Sequence, residues 1–61
     1  MEIIETTYQI WKNGRYTGRD VSVFWEKGSK RGPEILNRLH DDFPTSEGYY
    51  LKYQGTRIQN D

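Results

Sequence analysis

The stretch WKNGRYTGR, residues 11–19, sets the architecture of this chain. Its Asn13-Gly14 pair tolerates positive φ at two successive positions, which a two-residue type I′ hairpin turn requires. The flanks read as strands. Over residues 2–12, Ile4, Thr6, Tyr8 and Ile10 alternate with Ile3, Glu5, Thr7, Gln9 and Trp11, and β-branched and aromatic types dominate. Residues 15–26 return as a second strand, clearest over DVSVFWE.

A two-residue loop sets Lys12 against Arg15, Trp11 against Tyr16 and Ile10 against Thr17. Continued without interruption, it sets Thr6 against Val21, Ile4 against Val23 and Ile3 against Phe24. One face of the ribbon is then Ile4, Tyr8, Ile10, Val21, Val23 and Trp25. The other holds Ile3, Trp11, Tyr16 and Phe24 among polar residues. Gly18 marks the place for a bulge, and a one-residue slip there would exchange the faces.

GSKRG, residues 28–32, is a loop by composition. Pro33 then suits a first helical position, Glu34 complements the positive end of the helix dipole, and Ile35, Leu36 and Leu39 form an apolar stripe that Phe43 extends. Pro44 stops the helix and pushes Phe43 out of α geometry. The expected helix covers residues 33–42. TSEG reads as a second loop, and residues 48–59 as one long bulged strand. A tight hairpin about Gln54-Gly55 is the alternative. Tyr49, Leu51 and Tyr53 share a face, and a slip at Gly55 brings Ile58 to the same side. The expected fold is α+β in β-β-α-β order: a small antiparallel sheet with one short helix on one face. Trp11, Tyr16 and Phe24 fall on the face away from the helix.

At 61 residues the chain is a single domain. A chain this short buries only about 60% of the surface its unfolded form exposes, and scaffolds of this size usually need a staple. Cysteine is absent, so neither a disulfide nor a thiolate metal site is available. The single histidine, His40, argues against a zinc site built on histidines. HDD, residues 40–42, lacks the spacing of a metal-ligand set. Nine aromatic residues, 15% of the chain, are left to supply much of the apolar area.

The net charge is zero but unevenly spread. Residues 12–31 carry Lys12, Arg15, Arg19, Lys27, Lys30 and Arg31 against Asp20 and Glu26; both flanking segments are acidic. Lys12, Arg15 and Arg19 gather near the hairpin tip, where they serve either solubility or contact with an anionic surface. Lys27, Lys30 and Arg31 surround the entry to the helix, and helix N-termini attract anions. KGSKRGP is nevertheless not a phosphate-binding GxxxxGK[ST] loop, and no cofactor motif is present. Ser22, Ser29 and Ser46 have no glycine-flanked elbow, and paired carboxylates need a cleft that so short a chain does not readily build. No catalytic constellation is expected. No apolar run is long enough to span a membrane, MEIIETT is not expected to act as a signal peptide, and the lack of cysteine fits the cytoplasm.

Two function classes remain. The first is a non-enzymatic protein-binding module that occludes a partner's surface. Trp, Tyr and Arg are the types enriched at interface hot spots. The expected contact set is Trp11, Lys12, Arg15, Tyr16, Arg19, Phe24, Lys27, Lys30 and Arg31. Phage and mobile-element products that block host enzymes or defence systems are often stand-alone chains of this size; this is class-level analogy. The second is a small nucleic-acid-binding regulator that uses the basic, aromatic hairpin. A pI near 6.6 stands against it. A homodimer is compatible with either.

Overall fold

In the computed structural model, which describes residues 1–60, Asn13 and Gly14 take φ values of 52° and 80°. The expected type I′ turn therefore joins β1 (Glu2–Lys12) to β2 (Arg15–Glu26). A helix, α1 (Gly32–Asp42), follows, then a single 3-10 turn over Thr45–Glu47, then β3 (Tyr49–Asn60). The strand order is β2-β1-β3 and both pairings are antiparallel. β2 and β3 thus run parallel on either side of β1. Linking two parallel strands takes a crossover, and α1 lies within it, on one face of the sheet.

Two bulges set the register. At the tip, Lys12 pairs with Arg15 and Trp11 with Tyr16, as the turn dictates. Beyond them Thr17 and Gly18 are extra on β2, so Ile10 meets Arg19, not Thr17. Gly18 has a φ of 83°, a conformation that favours glycine. Every later pair moves by two: Thr6 meets Val23, Ile4 meets Trp25 and Ile3 meets Glu26, which corrects the uninterrupted register. A two-residue shift preserves the side-chain alternation, so the expected faces survive.

The second bulge lies opposite Thr7 and Tyr8. Thr7 pairs with Gly55 and Tyr8 with Tyr53, leaving Gln54 extra on β3. β3 is therefore one long bulged strand. The one-residue offset puts Ile58 opposite Ile4, on the same face as Tyr49, Leu51 and Tyr53.

The helix begins at Gly32, one residue before the expected start, with Pro33 second, and Phe43 closes it with ψ of 70°, its N–H donating to the Leu39 carbonyl at 3.1 Å. TSEG is more ordered than the loop expected. The Gly48 N–H returns to the Thr45 carbonyl at 3.0 Å, and Gly48 takes φ of 89°.

The core is thin. Ile10, Leu39 and Leu51 are buried, with Tyr8, Val21, Val23, Phe43 and Tyr49 packed around them. The helix starts against Trp25 of β2, whose indole lies 3.1 Å from where a Gly32 Cβ would stand. It ends near β3, where the Phe43 and Tyr49 rings meet edge-on at 5.4 Å. α1 thus crosses the sheet diagonally, packing chiefly on β2. The far half of β3 is left uncovered: Tyr53 is 57% exposed and Ile58 53%.

Candidate functional site

The sheet face opposite α1 carries no second layer among the described residues. It divides into two halves. Toward the open end of the hairpin it is mostly polar and stitched together, with Phe24 at its β2 edge. The Glu5 carboxylate accepts from Arg57 at 3.1 Å and from Gln59 at 3.1 Å, and the Thr7 and Ser22 hydroxyls are bonded at 2.8 Å.

Toward the turn the same face is aromatic. Trp11 sits on the central strand, with Tyr16 opposite it on β2 and Tyr50 opposite it on β3. The Trp11 and Tyr16 rings are tilted at 38° with centroids 6.0 Å apart. The Trp11 indole N–H donates to the Gln9 Oε1 at 3.1 Å, and the Lys52 Nζ lies 5.4 Å from the indole centroid. That is within cation–π reach, an attraction of about 0.5–1 kcal/mol at exposed sites. The Tyr16 hydroxyl donates to the Asp20 Oδ1 at 2.6 Å. This bond raises the Tyr16 pKa above its ordinary value, helped by partial desolvation and by the negative charge of Asp20. Trp11 is therefore fixed on several sides while Tyr50 is left 60% exposed.

The nine residues singled out from sequence do not form one surface. Trp11 and Tyr16 come together as expected. Phe24 lies on the same face, but opposite Glu5 and so six residues from Trp11 along the ribbon, a separation of about 20 Å. It lines a groove of about 280 Å³ at the β2 edge with Arg31, Glu34, Ile35 and Arg38. Lys12 belongs to the helix side, its Nζ 4.8 Å from the Tyr49 ring centroid. Arg15 pairs with Lys12 and Arg19 with Ile10, so both fall in the helix-side rows. Lys27 stands at the opposite end of the molecule in an ion pair with Glu2 at 3.3 Å. Arg31 precedes α1 and its N–H donates to the Ser29 hydroxyl at 3.1 Å, while Lys30 is exposed in the same connector. The basic segment is thus split between the two ends of a molecule 38 Å long.

Tyr50 and Lys52 were not singled out from sequence, yet they complete the cluster. YYLKY is visibly aromatic, but placing it beside Trp11 requires knowing that β3 pairs with β1. His40, Asp41 and Asp42 are all exposed, and no three His, Asp or Glu side chains are grouped to hold a metal among the described residues. No helix is long and apolar enough to cross a membrane among the described residues. No family model, no curated protein and no solved structure matches this chain.

Proposed function

We propose that this chain is a non-enzymatic protein-binding module that covers part of a partner's surface with the aromatic half of its open sheet face. One observation carries this reading: Trp11, braced by Gln9, Tyr16 and Lys52, stands on the central strand of a face with no layer over it among the described residues. Rigid aromatic anchors of this kind supply contact area at low conformational cost. The finer reading, a phage or mobile-element product that blocks a host enzyme or defence system, rests on chain size and type alone. Affinity capture from lysate tests the module. The chain should retain a discrete protein that Trp11→Ala and Tyr50→Ala each release, with circular dichroism unchanged. Equal capture by both variants would overturn the assignment of this face.

The second reading is a nucleic-acid-binding protein. It is favoured by one feature, an exposed Tyr50 beside Trp11 with Lys52 adjacent, which has the form of a base-stacking platform. The separation of the two basic clusters weighs against it. Tryptophan fluorescence titration with single- and double-stranded DNA, at low and physiological salt, separates the two readings.

A further inference from the structure

A three-stranded sheet has two edges, and here they are not equivalent. The β2 edge is guarded. It is bent by the Thr17-Gly18 bulge, it carries Arg15, Arg19, Asp20 and Glu26, and α1 packs chiefly on it. Bulges, charges and a covering helix are the devices that keep edge strands from pairing with other chains. The β3 edge carries a bulge too, at Gln54, but it is otherwise open. Its two charged residues, Lys52 and Arg57, lean over β1 on the open face, Lys52 to the Trp11 ring and Arg57 to Glu5 at 3.1 Å, with the Arg57 side chain 77% exposed. Among the described residues, three of the six exposed large hydrophobics lie on β3, Tyr50 on the open face and Tyr53 and Ile58 on the helix side.

The accessible surface of the molecule as a whole is also in excess. The chain exposes 4673 Å² at 7.3 kDa. A monomer of that mass ordinarily exposes about 4,200 Å². The surplus is roughly 500 Å² per chain, so two chains hiding it would bury about 1,000 Å², the lower bound of a specific interface. Among the described residues only Ile10, Leu39 and Leu51 form the buried apolar core, and a chain without cysteine has no disulfide to compensate.

We infer that β3 pairs with β3 of a second copy of this chain about a two-fold axis, forming one continuous six-stranded antiparallel sheet. A second copy is the occupant because the shortfall is in the fold itself and must be met before any other partner arrives. The symmetry uses each apolar residue of the edge twice, and one of the two cations of β3, Arg57, is already paired with Glu5. Tyr50 is shared with the partner-binding face, whereas Tyr53 and Ile58, where the pairing is tested, lie on the helix side and leave the Trp11 face unaltered.

Sedimentation equilibrium of the full chain across a wide concentration range tests it. The expected result is a mass rising to twice 7.3 kDa, with a concentration-dependent melting temperature. Ile58→Lys and Tyr53→Lys change exposed side chains and should each weaken self-association by at least about tenfold, whereas Phe24→Lys on the β2 side should not. Hydrogen exchange gives a second readout: β3 amides should gain protection as concentration rises while β2 amides do not. A 7.3 kDa species at every concentration would overturn the proposal. So would a dimer dispersed by Phe24→Lys, or one that gains protection along β2.

Discussion

The Asn13 N–H donates to the Gly48 carbonyl at 2.9 Å, and the Asn13 side chain occupies the space that a Cβ on Gly48 would need. The hairpin tip is therefore not free. It is clasped by the turn that leads into β3, which ties the first connection of the chain to the last.

Gly48→Ala should be costly for two reasons at one site. Gly48 has φ of 89°, where an L side chain is strained, and the new methyl would displace Asn13 from the clasp. Strain of this kind costs about 1–3 kcal/mol. Gly55 is the control, because open space surrounds its Cβ direction and its φ is not positive. Urea denaturation should show Gly48→Ala losing at least about 1 kcal/mol and Gly55→Ala remaining within about 0.5 kcal/mol of the parent. Equal midpoints for the two variants would remove the clasp from the account of stability.

Leu39 is the one α1 side chain buried in the core, where it meets Ile10 and Leu51. Leu39→Ala should cost about 2–5 kcal/mol. Domains of this size hold roughly 3–9 kcal/mol in all, so the variant should lose most of its thermal transition. Leu36→Ala, at a half-buried position on the same helix, should retain a cooperative one. Calorimetry of both variants decides whether Leu39 alone anchors the helix.

The fold was legible where local chemistry dictates geometry. Asn13-Gly14 specifies its turn, and Pro33 and Pro44 bracket the helix. What stayed hidden depends on how far apart in sequence the partners lie. Gly18 announces a bulge, but nothing in the alternation says whether one residue or two are extra. The answer, two, keeps the faces while moving each later pair. Tyr49, Leu51 and Tyr53 would alternate equally well beside β1 or beside β2. The neighbours of Trp11 on β3 were therefore unreadable, and the cations nearest to it in sequence were the ones singled out. Lys12, adjacent in sequence, points to the other face because successive residues of a strand alternate.

Tyr16 gives a spectroscopic handle on the site. Its hydroxyl donates to Asp20, so the neutral phenol is favoured and its pKa is raised. The contribution of this bond is fully present below the ordinary tyrosine value of about 10, and it is lost as pH rises through the higher folded value. Absorbance titration should show the Tyr16 phenol ionising above its ordinary range. Asp20→Asn removes the charged acceptor and should return that tyrosine toward the ordinary range. An unchanged titration curve in Asp20→Asn would assign the late phenol to another residue.

Lys52 and Lys12 separate the surface seen in the fold from the tip read in the sequence. Lys52 lies by the Trp11 ring on the open face, and Lys12 lies by the Tyr49 ring on the helix face. If the aromatic half of the open face makes the contact, Lys52→Glu places a carboxylate against the π face of Trp11 and alters the rim charge. It should weaken capture of the partner about tenfold or more, as a substitution costing at least about 1.4 kcal/mol would. Lys12→Glu should leave capture within about twofold, because its effect falls on the far side of the sheet and long-range charge is screened beyond about 8 Å at physiological salt. Surface plasmon resonance with the captured protein, for both variants at two salt concentrations, reads this directly. The reverse ranking would move the contact from the Trp11 face to the hairpin's helix-side rows, where Arg15 and Arg19 lie with Lys12.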